Sequence, residues 1–194
     1  MCKFDSHVSF LYKGADRLHI IAGKLKGKKI QSQSSGLRPT TSIARASLFN
    51  IIGEEIEDKI FVDAFSGTGA MGLEAYSRGA KEVWLIEKNP QAVRMIQENV
   101  KHLEANARVI RRDVFDFLQS VTEKPFDYIF FSPPFDTIHW HLLMRAIETS
   151  NVIPKDAMII IQHPKVIGLE TMILKKMDER RYGFNKLSFF YKGE

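Results

Sequence analysis

The chain has 194 residues and one cysteine, Cys2, so it fits one α/β domain with a small addition and excludes an internal disulfide or a cysteine metal cluster. Its apolar stretches are too short for a signal sequence or a membrane span, and we expect a soluble, cytoplasmic protein without membrane contact or bound metal. The formal net charge is +5, and the first 45 residues, with nine Lys and Arg against two Asp, hold all of the excess.

Residues 17–40 are predicted to form a basic β-hairpin arm, preceded by a flexible extension over residues 1–16. Residues 19–22 and residue 30 flank the sequence GKLKGKK, in which glycines permit a bend and lysines project from it. Such charge asymmetry favours a polyanionic partner, although a solvated basic tail explains the same charges equally well. The candidate contacts are Arg17, Lys24, Lys26, Lys28, Lys29 and Arg38.

Residues 41–194 show the pattern of an α/β domain. Thr40 and Thr41 are good N-caps for a helix whose apolar face would be Ile43, Ala46, Phe49 and Ile52 or close neighbours and which would end near residue 53. Apolar runs at 60–64, 83–87, 108–110, 128–131 and 158–162 then alternate with helical stretches at about 70–78, 90–104, 114–120 and 139–149, which indicates βαβ units and a parallel sheet. Residues 172–192 are predicted to form two extended pieces around residues 182–183, an antiparallel hairpin at the sheet edge.

A glycine-rich loop follows the first predicted strand, in the sequence VDAFSGTGAMG. The motif G-x-G-x-x-G from Gly67 to Gly72, with Glu87 20 residues after the first glycine, fits any adenosine-containing cofactor. Asp63 would repel a pyrophosphate but suits the positively charged methionine end of S-adenosylmethionine, and Asp113 could accept a hydrogen bond from the adenine amino group. Three acids at successive strand ends therefore favour the methyl donor. The alternative is that Asp63 and Asp113 only cap the following helices.

In a second motif, FDYIFFSPPF, an apolar strand is followed directly by Ser132 and two prolines. Because proline lacks a backbone N–H and fixes φ, the strand must end at Pro133 and its end is stiff. The Ser132 hydroxyl and the Pro133 carbonyl could each accept one N–H of an exocyclic amino group, which directs the nitrogen lone pair towards a methyl donor. If the amino group belongs to a nucleic-acid base, Phe135 would stack on that base, and the alternative is a core aromatic.

Seven segments together resemble the bacterial RsmD-like enzymes, which methylate the exocyclic amino group of a guanine in 16S rRNA. In order, the segments are LHIIAGKLKGKKI, GLRPTTSIARASLFNII, VDAFSGTGAMGLEAYSRGA, LIEKNP, ARVIRRDVFDFL, FDYIFFSPPF and RRYGFNKLSFFYK. The similarity runs from Arg17 to Lys192. It implies a class I S-adenosylmethionine-dependent methyltransferase, with a Rossmann-like, mostly parallel seven-stranded sheet and an antiparallel last hairpin strand, plus the small N-terminal β-hairpin arm.

The resemblance also implies roles for particular residues. The residues around S-adenosylmethionine would be Asp63, Ser66, Gly67, Gly69, Glu87 and Asp113. The catalytic tetrapeptide would be Ser132, Pro133, Pro134 and Phe135, where the family usually has Asp in place of Ser132. The role of His163 is taken to be structural, at a strand end.

The implied partner is ribosomal RNA within a small-subunit assembly particle, modified by a monomer whose arm binds RNA phosphates. The open alternatives are an amino-group methyltransferase for adenine or protein glutamine and a catalytically weak RNA-binding homologue. An NAD-dependent oxidoreductase is disfavoured by Asp63 and by the two prolines.

Overall fold

The computed structural model describes residues 18–32, 42–121 and 124–192. The strands are β1 (Ile60–Ala64), β2 (Glu82–Glu87), β3 (Ala107–Arg111), β4 (Tyr128–Phe131), β5 (Met158–Pro164), β6 (Leu174–Tyr182) and β7 (Asn185–Lys192). The helices are α1 (Ser42–Ile52), α2 (Ala70–Ser77), α3 (Pro90–His102), α4 (Val114–Leu118) and α5 (Trp140–Glu148), and a 3-10 turn (Gly53–Ile56) follows α1. Within the described residues, no helix is long and apolar enough to cross a membrane.

The sheet explains where a functional site can form. Its strand order is β3-β2-β1-β4-β5-β7-β6, with β1 to β5 parallel and β7 antiparallel to both β5 and β6. The predicted mixed sheet is therefore confirmed. The chain changes direction across the sheet between the neighbours β1 and β4, and open α/β sheets bind ligands in the crevice at such a switch point, beyond the carboxyl ends of the strands.

Buried apolar side chains cover both faces of the sheet, as expected for parallel strands between helices. Every residue of β1 and β4 is buried. Phe61 packs with α1 on one face, whereas Val62 packs with α4 and α5 on the other. On α2, a Cβ at Gly72 would lie 2.4 Å from Leu85 Cδ2, so this glycine lets the helix approach the sheet closely.

The buried face of α1 agrees in part with the predicted one. Phe49 and Ile52 are buried as predicted, together with Ala44, Arg45 and Leu48, whereas Ile43 is 71% exposed. The prediction was wrong for Ile43 because the buried stripe includes a charged residue. The Arg45 side chain lies 3.6 Å from the carboxylate of Glu74 on α2 and donates a hydrogen bond to the carbonyl of His19. The predicted N-caps, Thr40 and Thr41, lie outside the described residues.

The N-terminal hairpin is present where the structure describes it. His19 and Lys29 form an antiparallel bridge, and the Ile20 N–H donates to the carbonyl of Lys28 at 2.9 Å. Ile20 and Ile30 are buried against α2. The predicted extension over residues 1–16, together with Arg17 and Arg38, lies outside the described residues.

Glu74 and Ser77 of α2 hold the hairpin in place. The two Glu74 carboxylate oxygens accept hydrogen bonds from the N–H groups of Ile21 and Ala22, at 2.8 and 3.0 Å. Ser77 lies under the bend, where Gly23 has φ of +81° and a Cβ would lie 1.9 Å from the Ser77 carbonyl oxygen. Only glycine fits there, so the bend is locked against the helix.

Candidate active site

A cavity of about 840 Å³ lies at the crevice predicted by the strand order. It falls within the 300–1,000 Å³ range of typical ligand pockets. The predicted residues that line it are Asp63, Ser66, Gly67, Glu87, Asp113, Ser132, Pro133, Pro134 and Phe135. Gly69, the remaining predicted cofactor residue, is not among the lining residues. The two sequence motifs therefore meet in one cavity.

The glycine loop takes its shape from left-handed residues. Gly67 and Gly69 have φ of +56° and +77°, and the non-glycine Phe65 has φ of +66°. The Gly69 N–H donates to the Ser66 carbonyl at 2.7 Å, and the Ser66 hydroxyl donates to the Asp63 carbonyl at 2.6 Å. Ser66 thus fastens the loop to the end of β1, and Gly69 shapes the start of α2 without facing the cavity.

Asp63 is a buried carboxyl group at the end of β1. It is 2% exposed, and its Oδ2 accepts a hydrogen bond from the Gly72 N–H at 3.1 Å. Burial raises the pKa of Asp63 to about 7; the Gly72 hydrogen bond lowers it, and the Glu87 charge raises it. A carboxyl group that ionises near neutral pH in a cavity is suited to bind a cationic group, because the ligand charge replaces the lost water.

The other two strand-end acids are held by backbone groups. Glu87 accepts hydrogen bonds from Gly67 N–H at 3.0 Å and from Asn89 N–H at 2.8 Å, which joins the ends of β1 and β2. Asp113 caps α4 through the Phe115 N–H at 2.9 Å and accepts a hydrogen bond from Lys88 Nζ at 3.1 Å. Asp113 therefore does cap the following helix, as the alternative interpretation holds, and its contact with adenine stays a prediction.

The diproline segment lies directly across the crevice from the glycine loop, because β4 pairs with β1. The Ser132 hydroxyl donates to Gln162 Oε1 at 3.2 Å, so its hydrogen is engaged and its oxygen can accept. Pro133 is buried and Pro134 exposed. The Phe135 ring is half-buried, 5.9 Å from the Trp140 ring.

Comparison with known proteins identifies the family. The model of the family described as "Conserved hypothetical protein 95" matches residues 18–191. The chain belongs to this family. A "Ribosomal RNA small subunit methyltransferase D" of Buchnera aphidicola subsp. Acyrthosiphon pisum is 34% identical over 162 residues, which covers 81% of this chain and 83% of the relative.

Solved structures agree with this family membership. The "Putative methyltransferase yhhF from Escherichia coli" superposes with a TM-score of 0.79 at 28% identity and covers 91% of this chain and 98% of its own. A Thermus thermophilus "16S rRNA N2 G1207 methyltransferase (RsmC) in complex with AdoMet and Guanosine" shares the fold, with a TM-score of 0.64, 19% identity and coverage of 82% and 44%. The predicted RsmD-like family and class I methyltransferase fold are confirmed. The Thermus thermophilus protein binds the cofactor that the sequence predicts for this chain.

The predicted RNA contacts of this family member lie apart from the cavity. Lys24, Lys26, Lys28 and Lys29 are exposed on the hairpin, and none of them lines the cavity. Lys24 Nζ lies 3.6 Å from the centre of the Tyr76 ring. Contact of these lysines with RNA phosphates stays a prediction.

Sequence patterns did not indicate two contributors to the cavity. Gln162 follows Ile161, which pairs with Phe131, so strand register brings it beside Ser132. The β6–β7 turn adds Phe184 to the wall of the cavity. An aromatic residue at the tip of the predicted hairpin was the one sequence feature that could have indicated this position. His163 is 1% exposed and contacts the Pro164 carbonyl and the Ser188 hydroxyl at 3.1 and 2.9 Å, consistent with a structural role.

Proposed function

We propose that the protein transfers the methyl group of S-adenosylmethionine to the exocyclic amino group, N2, of a guanine in 16S rRNA. Methylation of ribosomal RNA follows from the family and from the name of its relative in Buchnera aphidicola. The observation that carries the finer proposal is the meeting of the Asp63 carboxyl group and the Ser132–Phe135 segment in one cavity.

The cavity residues fit S-adenosylmethionine. When bound, this cofactor supplies a methyl group on a positively charged sulfur. Asp63 would bind the ammonium group of its methionine end, because the buried carboxylate lacks a cationic partner among the hydrogen bonds and ion pairs described above. Glu87 would accept hydrogen bonds from the ribose hydroxyls, and Asp113 one from the adenine amino group, since carboxylate oxygens accept several bonds each.

Ser132 and Pro133 would act on the target nitrogen. The lone pair of an exocyclic amino group is delocalised into the base, so the group must be held in a pyramidal form to react. The Ser132 oxygen, whose hydrogen points to Gln162, would accept one N–H, and the Pro133 carbonyl the other. The prolines keep both acceptors fixed, so that little reorganisation is needed at the moment of transfer.

The target base must leave its helix or loop to reach these groups, because a paired amino group cannot enter the cavity. Phe135 would stack on the unpaired base, and the lysines of the 17–40 arm would bind phosphates without selecting a sequence. We propose that the substrate is a small-subunit particle, modified by a monomer in the cytoplasm, where subunits assemble.

The test uses methyl-labelled S-adenosylmethionine and 30S subunits from cells that lack the modification. We expect one labelled nucleotide in 16S rRNA, and digestion to nucleosides should give N2-methylguanosine. Label on adenine or on a protein glutamine would refute the guanine assignment. Naked 16S rRNA serves as the parallel substrate, and equal rates on both would refute the requirement for an assembled particle.

A further inference from the structure

A large aromatic ring is exposed at the tip of the β6–β7 hairpin. The Phe184 side chain is 74% exposed. Tyr182 pairs with Asn185, which leaves a two-residue loop whose first residue, Gly183, has φ of +58°. Of the two loop positions only the first has a positive φ and therefore favours glycine, so turn geometry permits a phenyl ring at the second position without requiring one.

The exposed ring belongs to the rim of the active-site cavity. Phe184 lines the same cavity as Ser132 and Phe135. The carbonyl of Phe184 accepts a hydrogen bond from the N–H of Lys165 at 2.9 Å, which ties the loop tip to the segment after β5. The backbone that carries the ring is therefore anchored, and the side chain itself is left to solvent.

The surroundings of the ring are basic. Lys165 is exposed, and its Nζ lies 5.2 Å from the centre of the Phe184 ring. Residues 165–192 contain seven Lys and Arg against three Asp and Glu. Asp178 and Glu179 are paired with Arg180, Lys176 and Lys186. Lys175, Lys176 and Lys192 lie at the far end of the hairpin, whereas Arg181 and Lys186 pair with each other next to its tip. The exposed cations nearest the ring are therefore Lys165 and Arg181.

We propose that Phe184 is a stacking platform for an unpaired RNA base that flanks the target nucleotide, with Lys165 binding the adjoining phosphate. An exposed aromatic ring beside a cation matches the combination that binds single-stranded nucleic acid, since every base presents a π face and every linkage a negative charge. Such a platform holds the strand in its unstacked form while the target base is in the cavity. The inference rests on the proposed function, because it takes RNA as the substrate.

The test compares Phe184→Ala with Phe184→Leu, Phe184→Trp and the control Met172→Ala, which truncates a residue that is 93% exposed and does not line the cavity. The substrates are 30S subunits lacking the modification. Phe184→Ala should raise the KM for subunits about 5- to 150-fold and leave turnover at saturation unchanged, because stacking stabilises the bound ground state and the transition state equally. Phe184→Trp should restore the wild-type KM, whereas Phe184→Leu should not.

Equilibrium measurements separate this inference from the proposed function. Affinity for a single-stranded ribo-oligonucleotide should fall in Phe184→Ala, and affinity for S-adenosylmethionine should stay the same. If Phe184→Ala behaves like Met172→Ala in both KM and oligonucleotide affinity, the platform is refuted while methyl transfer stands. If Phe184→Leu binds RNA as well as wild type, stacking is refuted. A wild-type protein that labels no rRNA would refute the proposed function itself.

Discussion

Replacing Asp63 with asparagine removes a carboxyl group that burial disfavours in its charged form. The pKa of Asp63 is about 7 in the folded protein, against an ordinary value of 3.8. Between these values the folded protein holds a proton that the unfolded chain has lost. The free energy of unfolding therefore falls as the pH rises, by about 1.4 kcal/mol per pH unit, and levels off above the folded-state pKa.

From pH 5 to pH 8 this linkage amounts to roughly 3 kcal/mol, because two of the three units lie below the folded-state pKa. Asparagine does not titrate, and its side-chain oxygen can still accept the Gly72 N–H. The stability of Asp63→Asn relative to wild type should therefore grow by that amount over this range. Its affinity for S-adenosylmethionine should fall at pH 8, where the wild-type carboxylate is ionised and able to bind the ammonium group.

Urea denaturation of the cofactor-free proteins at pH 5, 6, 7 and 8 measures the stability difference, and calorimetry measures cofactor affinity. Asp136→Asn is the matched control, because Asp136 is an exposed carboxyl group that lines the same cavity. A stability difference between Asp63→Asn and wild type that stays constant from pH 5 to pH 8 would refute the account of a carboxyl group neutralised by burial.

Three further changes test other parts of the molecule. Ser132→Ala should lower single-turnover rates about ten- to a hundred-fold with little change in substrate affinity. Ser132→Asp should be at least as active as wild type, because a carboxylate is the stronger acceptor. An undiminished rate for the alanine variant would exclude the serine as an acceptor. Glu74→Gln should cost about 3–5 kcal/mol of unfolding free energy because it leaves the buried Arg45 uncompensated, and an equal loss in the exposed control Glu104→Gln would contradict this. The third change replaces four hairpin lysines with glutamine, namely Lys24, Lys26, Lys28 and Lys29. It should reduce the slope of the logarithm of RNA affinity against the logarithm of salt concentration by up to about 3 to 4, without changing cofactor affinity. An unchanged slope would show that these lysines are only a solvated surface.

Strand positions were predicted well wherever burial makes a continuous apolar run. β1 and β4 have the predicted ends, because both lie in the middle of a parallel sheet that helices cover on both faces. β5 runs two residues further than predicted, to Pro164. Gln162 and His163 look like the end of a strand in the sequence, but they pair with Leu187 and Lys186 of β7.

The two motifs of the candidate site were visible in the sequence because their chemistry is local. Glycine tolerates a positive φ, as at Gly67, and proline cannot donate a backbone hydrogen bond to a neighbouring strand, as at Pro133. Both properties belong to the residue itself and hold in any chain. The partner of Ser132 was not visible, since it depends on the register between β4 and β5. The burial of Arg45 on α1 was not visible either, because Arg45 is stabilised by Glu74 on another helix.

The sequence by itself determined the alternation of strands and helices, the glycine loop, the diproline end of β4 and the family. These follow from periodicity and from the backbone preferences of single residues. Only the tertiary structure decided that Arg45 and Glu74 are buried together, that the hairpin is locked onto α2, and that Phe184 stands at the rim of the cavity. It also decided the raised pKa of Asp63. Each of these depends on water being removed by residues far apart in the chain, and a desolvation free energy belongs to the packed surroundings rather than to any local pattern.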